Sequence, residues 1–212
     1  MPLPNESMAD ELAYVRSLAE EGRNAPLVGG VIYVIWGGLI GTAALIQFAG
    51  NMGMRLLPAP LEWAPWFAAF IAGWGFSYFF GWRNGGKPGA FTVGNKTASA
   101  AWFAVGLFMT GFWATLFFAH GRYIDIGVPA YFLFSMMFPI AFGLYGVAFF
   151  ASATAARLDW LKLFAIAAWV VSFALLFFLN SPYQMLIAAA GSFVCAVVPG
   201  ILLMRREPSE IV

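Results

Sequence analysis

Charged residues are missing from the interiors of six long stretches of this chain and occur only outside them or at their ends, as Lys162 does. Only 10% of its 212 residues are Asp, Glu, Lys or Arg, compared with about 25% in soluble domains, and 62% are hydrophobic. A helix of about 20 apolar residues crosses a hydrocarbon core about 30 Å thick. The stretches have this length, so the sequence predicts an integral membrane protein that contacts the lipid bilayer. They cover residues 27–48, 63–82, 98–119, 128–151, 161–179 and 185–204.

The groups that perform most enzymatic and metal chemistry are also scarce. The chain has one cysteine and one histidine, and no Asp, Glu, Lys or Arg lies deep within an apolar stretch. Proton relays, charged ion filters and buried metal sites all depend on such groups. We therefore expect no catalytic residues, no metal, no cofactor and no nucleic-acid partner.

Helices fit the apolar stretches better than strands. Each stretch is longer than the ~10 residues of a membrane strand, and none alternates apolar with polar residues. The expected fold is all-α, a polytopic six-helix transmembrane bundle over residues 27–204. A cytoplasmic segment, residues 1–26, precedes it, and a cytoplasmic tail, residues 205–212, follows it.

Basic residues concentrate in alternate connections between the stretches. Nine of the 11 lie in the N-terminal segment, the second and fourth loops and the tail. The positive-inside rule then places both termini in the cytoplasm of a multi-pass inner-membrane (cell-membrane) protein. The nine are Arg16, Arg23, Arg83, Lys87, Lys96, Arg157, Lys162, Arg205 and Arg206, and the other two are Arg55 and Arg122.

The segment before the first stretch predicts a short amphipathic helix. Ser7 is placed to cap its start, and Gly22 to end it. Leu12, Val15 and Leu18 recur at helical spacing and share one face. This face can lie on the membrane or under the bundle, or it can dock a cytoplasmic protein partner. The sequence leaves these alternatives open.

Small residues form a ridge on the first apolar stretch. Gly37, Gly38 and Gly41 lie within about one turn, a pattern that lets a second helix approach closely. Packing within the bundle is the default interpretation. Contact between subunits of a homo-oligomer is the alternative.

Neutral polar groups within the stretches are candidates for a solute path. Pro139 interrupts backbone hydrogen bonding in the fourth stretch, one turn after Ser135, and a kink there can flank such a path. Thr42 and Tyr145 are the other candidates. Tryptophans at depth suit either a tight bundle or an aromatic-lined constriction: Trp36, Trp74, Trp102, Trp113 and Trp169.

The start of the first stretch resembles a segment of the acetate uptake transporter (YaaH-type) family. Asn24, Pro26, Leu27 and Gly29 match the family's Asn-Pro-Ala-Pro-Leu-Gly-Leu, although the first Pro is missing and a Val is inserted before Gly29. The resemblance implies a six-span, oligomeric pore for small carboxylates.

Two classes of function follow from these features. The first is a channel or transporter for a small neutral or anionic solute that works without charged coupling residues. The alternative is a non-transporting sensor or regulatory subunit that binds a cytoplasmic partner through its N-terminal helix. A cavity lined by Ser135, Tyr145 or Thr42 would favour transport, and a solid bundle with an exposed N-terminal apolar face would favour the partner.

Overall fold

The computed structural model describes residues 11–14, 26–54, 56–58, 61–87 and 89–207, and it is all-helical. No strand occurs in these residues, which confirms the all-α class. The chain forms α1 Gly30–Asn51, α2 Ala64–Asn84, α3 Val93–Asp125, α4 Ala130–Ala156, α5 Leu161–Phe177 and α6 Tyr183–Met204. Residues 11–14 are also helical.

Several of these helices have the properties of membrane-spanning segments. The helices α1, α3 and α6, together with Tyr131–Ala156 of α4, are long and apolar enough to cross a membrane. The 17-residue helix α5 is apolar as well. These helices are compatible with an integral membrane protein, as the composition predicts.

Local chemistry explains where some helices begin and end. Gly29 precedes α1 with φ +106°, a left-handed conformation that suits glycine because it has no Cβ. Helix α3 has 33 residues and extends beyond its apolar stretch at both ends. At its start, the Thr92 hydroxyl caps the helix by accepting from the Asn95 N–H. The polar residues of both extensions can remain helical because the backbone bonds are made within the helix.

The helices form two layers with a cleft between them. Neighbouring helices pack closely within the layers α2–α1–α6 and α3–α4–α5, and α5 contacts α6 to join the layers along one side. Along the other side, α2 and α3 make few backbone approaches and meet through aromatic side chains. The α5–α6 contact therefore joins the two layers along one edge, and α2 and α3 lie at the other edge.

Consecutive helices run in opposite directions. The start of α1 therefore lies beside residues that follow α6, since Gly30 N–H donates to Glu207. Beyond α6, the Arg206 guanidinium also lies 4.9 Å from the Trp160 ring centre in the α4–α5 connection. We call this the basic end of the bundle, and the end that carries Asn51, Glu62 and His120 the opposite end.

Glycine brings α1 and α6 into backbone contact. A Cβ atom on Gly30 would lie 2.5 Å from the Gly200 carbonyl oxygen, and one on Gly37 would lie 2.8 Å from the Ala196 Cβ. Gly41 faces the Phe193 ring in the same way. Gly38, expected on the same ridge, instead faces open space with no atom within 4 Å of its Cβ position. One residue turns a helix by about 100°, so Gly38 cannot share the face of Gly37.

Pro139 removes one helical hydrogen bond from α4, and α6 replaces it. Proline has no N–H, so the Ser135 carbonyl loses its donor four residues later. Gln184 Nε2 donates to that carbonyl at 3.1 Å and to the Leu175 carbonyl of α5, also at 3.1 Å. The Ser172 hydroxyl donates to the Pro139 carbonyl at 2.7 Å. Pro139 therefore belongs to the packing of α4 against α5 and α6.

Helix α6 contains a widened turn ahead of its own proline. Residues Phe193–Val197 form a π-turn in which the Val198 N–H donates to the Phe193 carbonyl. Pro199 follows it, and a proline ring crowds the carbonyl four residues earlier, here that of Cys195. The wider turn relieves this crowding, and π-turns recur at functional sites.

Candidate functional site

The cleft between the layers is a cavity of about 1210 Å³. It is lined by side chains of α1, α2, α3, α4 and α6, including Cys195 and Ala196 of the π-turn. On α1 the lining extends from Gly29, just before the helix, to Asn51 at its end. The 22 residues of α1 rise about 33 Å, close to the thickness of a hydrocarbon core. The cavity therefore extends along the length of the bundle.

Aromatic rings dominate the wall of the cavity. Of the tryptophans that lie at depth in the sequence, Trp169 packs between α5 and α4 instead, where it donates to the Gly143 carbonyl at 3.1 Å. The six lining tryptophans are Trp36, Trp63, Trp66, Trp74, Trp102 and Trp113. These residues form an aromatic-lined space, which the sequence could not distinguish from a tight bundle.

Three of the six lining tryptophans donate an indole N–H to a neighbouring side chain, whereas the buried Trp102 Nε1 has no hydrogen-bond partner among the described residues. Such bonds fix the ring orientations and leave mainly apolar ring surface towards the cavity. The three donor–acceptor pairs are Trp36 with Ser77 at 2.8 Å, Trp74 with Thr110 at 2.9 Å, and Trp66 with Gln47 at 3.4 Å.

One side of the cleft is closed by side-chain contacts between α2 and α3, which are aromatic apart from the Trp74–Thr110 hydrogen bond. The Trp113 ring centre lies 4.7 Å from that of Phe67 and 5.1 Å from that of Phe70. Towards the basic end, Trp74 contacts Phe103 with ring centres 6.0 Å apart. We call these five residues the aromatic seam. Side chains rather than backbones separate the cavity from the surroundings here.

The structure brings together two of the four residues predicted for a solute path. Ser135 and Tyr145 both line the cavity. Pro139 is buried in the α4–α5–α6 contact. Thr42 is exposed on the outside of α1, because it follows the lining residue Ile40 by two positions, or about 200° of helix rotation.

Polar groups gather where the cavity reaches the opposite end. His120 Nδ1 lies 2.8 Å from the Phe117 carbonyl oxygen, and Gln47 Nε2 donates to Asn51 at 3.3 Å. Glu62 and Asn180 also line this part. No three potential metal ligands cluster anywhere in the described part of the chain. This end of the cavity therefore carries more polar side chains than the aromatic wall.

A buried ion pair lies at the basic end of the cavity. Glu207 Oε1 accepts from the N–H groups of Gly29 at 2.8 Å and Gly30 at 2.6 Å, and Oε2 pairs with Lys87 Nζ. The Glu207 side chain is only 6% exposed and that of Lys87 17%. A carboxylate is favoured at the start of α1, where free N–H groups and the helix dipole are positive.

Asn95 connects α3 to the segment before α1 through hydrogen bonds. Its Oδ1 accepts from the Val28 N–H at 2.8 Å, and its Nδ2 donates to the carbonyls of Pro26 and Gly89, each at 3.0 Å. Nearby, the buried Asn84 Nδ2 lies 3.6 Å from the Cβ position of Gly29. It has no hydrogen-bond partner among the described residues.

The residues of the basic end only partly coincide with those predicted from sequence. Of the family-like segment, Pro26 is held by Asn95, Leu27 is buried, and Gly29 binds Glu207. Asn24 lies outside the described residues. Glu207 was not predicted from the sequence, where its one signal is an acid soon after the last apolar stretch.

Of the three residues of the predicted docking face, one lies within the residues that the structure describes. Leu12 is 66% exposed within the helical residues 11–14. Val15 and Leu18 lie outside the described residues.

Comparisons with known proteins add no assignment to this geometry. No family model, no curated protein and no solved structure matches the chain. The cavity and its two ends are therefore the basis for a functional proposal.

Proposed function

We propose that this chain is a six-span inner-membrane protein that conducts a small, uncharged solute through the cleft between its two helix layers. The observation that carries the proposal is the cavity of about 1210 Å³ that extends from the basic end to the opposite end. Ser135 and Tyr145 supply neutral polar groups along it. Drug-sized pockets are about 300–1,000 Å³, so this space is ample for a small solute.

The wall chemistry favours a neutral solute over an ion. Among the described lining residues there is no Lys, Arg or Asp, and Glu62 and His120 lie at the opposite end. An ion that loses its hydration against aromatic walls gains no compensating charge there. A small carboxylic acid would pass in its protonated form. A substrate of the acetate-transporter kind thus remains part of the proposal.

Six membrane crossings with cytoplasmic termini are the second part of the proposal. The bias of nine basic residues to two supports this topology. The exposed stripe of α5 also supports it, since apolar side chains recur every three or four residues on its outer face, as lipid contact requires. The stripe consists of Leu163, Ile166, Val170, Phe173 and Phe177. Reporter domains fused to each loop in turn would test the topology, and alternation that fails at α2 or α5 would contradict it.

Solute flux tests the transport proposal. Purified protein is reconstituted into liposomes, and entry of glycerol, urea and labelled acetate is compared with entry into protein-free liposomes. We expect at least one of these probes to enter faster in the presence of the protein. Rates equal to those of empty liposomes for all three would contradict the proposal for solutes of this size.

A regulatory or sensor subunit is the alternative, in which the N-terminal helix docks a cytoplasmic partner through the face of Leu12, Val15 and Leu18, of which Leu12 is 66% exposed. An apolar side chain on the surface of a cytoplasmic segment can anchor a protein partner. Pull-down with the full chain and with a chain lacking residues 1–22 tests this alternative. A partner recovered only with the full chain would support it, and identical proteins from both would contradict it.

A further inference from the structure

A network of charge and backbone bonds connects four parts of the chain at the basic end. Glu207 comes three residues after α6 and bonds the first N–H groups of α1, while Lys87 belongs to the α2–α3 connection. Asn95 of α3 holds residues 26–28 in the same region. We call Glu207, Lys87, Gly29 and Gly30 the clasp.

The clasp lies at one mouth of the cavity. Val28 and Gly29 line the cavity at this end, and so does Gly81 near the end of α2. Lys87 comes three residues after α2, in the loop that leads to α3. The pair between Glu207 and Lys87 therefore joins the α1–α6 side of the mouth to the loop that bridges the two layers.

The clasp depends on a buried charge. A carboxylate that is 6% exposed has lost most of its hydration, and the N–H groups and the ammonium replace it. If the charge on one partner is removed, the buried charge of the other loses its counter-charge, although Glu207 still accepts from the Gly29 and Gly30 N–H groups, and the balance shifts towards separation into water. The unpartnered Nδ2 of Asn84, beside Gly29, shows that this mouth also holds a donor that the closed arrangement leaves unused.

We propose that the clasp closes the basic end of the cleft, and that release of Glu207 opens it. In the closed state, the carboxylate holds residues 205–207 and Lys87 of the α2–α3 loop against the start of α1. In the open state, the α2–α3 loop moves away from Gly29 and the cavity connects to water on that side. This regulatory role rests on the proposed function of the cleft.

Chemical labelling of a cysteine inside the cleft tests the clasp without any solute. Cys195 is replaced by Ala to remove the native thiol, and Ile40→Cys places a reporter on the cavity wall about 15 Å along α1 from Gly30. A membrane-impermeant thiol reagent is applied to vesicles on the side of the basic end. We expect Glu207→Gln to raise the labelling rate by about tenfold, the factor that the loss of one charge-assisted hydrogen bond would give.

Asp159→Asn is the matched control for the charge change. Asp159 pairs with Lys162 at the same end of the bundle, but its side chain is 86% exposed. The control should label at the rate of the parent reporter. Lys87→Gln breaks the clasp from its other side and should raise the rate as Glu207→Gln does. If Glu207→Gln does not fold, the labelling rate of Lys87→Gln tests the clasp instead.

The labelling rates, read together with the flux experiment, test the clasp proposal and the transport proposal separately. If folded Glu207→Gln or Lys87→Gln labels no faster than the parent, the clasp does not close the cleft. If labelling rises while no probe crosses the membrane in the flux experiment, the clasp is supported and the transport proposal fails. If Asp159→Asn raises labelling equally, the effect reflects net charge and the clasp is again contradicted.

Discussion

Gln184 of α6 donates hydrogen bonds to α4 and α5. In each of these two helices it reaches a carbonyl that has no backbone N–H partner. Pro139 deprives the Ser135 carbonyl of its helical partner, and α5 ends just after Leu175. One buried amide, 1% exposed, donates to both carbonyls. Polar groups of this kind can stabilise contacts between membrane helices because no water is present to replace them.

Replacement of Gln184 by Leu should be strongly destabilising. Two buried carbonyls would lose their donor, at a cost of about 3 kcal/mol in the free energy of unfolding. Pro139→Ala restores an N–H to the Ser135 carbonyl, so Gln184→Leu should cost about 1 kcal/mol less in that background. Unfolding of the four proteins in detergent measures this difference. Equal costs in both backgrounds would show that Gln184 does not act through Ser135.

The pairing of Ser135 with Gln184 shows what sequence could and could not predict at this scale. Pro139 and Ser135 stand one turn apart, so a disturbed helix was predictable from their spacing. The compensating donor is 49 residues away along the chain and on another helix. No local pattern identifies such a residue, and Glu207 was missed for the same reason.

Helices α1 and α6 owe their close approach to glycines on facing sides. Gly30 and Gly200 each leave room for the other's carbonyl oxygen, and Gly37 lies against the π-turn of α6. The small-residue pattern of α1 indicated a packing face. The sequence could not indicate whether that face includes Gly37 or Gly38, because this depends on the direction from which α6 approaches.

Alanine at Gly37 should lower the free energy of unfolding, whereas alanine at the adjacent Gly38 should not. At Gly37 the new Cβ would meet the Ala196 Cβ at 2.8 Å and the Ser192 carbonyl oxygen at 3.0 Å. Such overpacking should lower the free energy of unfolding by about 2 kcal/mol. Gly38→Ala meets no atom within 4 Å, so the better helix propensity of alanine should leave stability unchanged or raise it by up to about 1 kcal/mol. Unfolding in detergent compares the pair, and equal losses at both positions would contradict the α1–α6 interface.

At the scale of the whole molecule, two helix layers enclose a long aromatic cavity. The all-α class and the apolar stretches were predictable, because length and the absence of charge determine them. The cavity was not predictable, since it depends on the separation of the layers. That separation follows from ring contacts across the aromatic seam, between residues such as Phe67 and Trp113 that lie far apart in sequence.

Entry of a probe that the parent protein conducts, into liposomes that contain Ile40→Trp or Leu45→Trp protein, tests the central claim most directly. Both residues are on α1, but Ile40 lines the cavity, whereas Leu45 is 39% exposed and lies outside it. The added ring at Ile40 should obstruct the cleft and reduce protein-dependent entry by at least about tenfold, as a barrier increase of about 1.4 kcal/mol would do. Leu45→Trp should keep the parent rate. If the two variants conduct alike, the cleft is not the path.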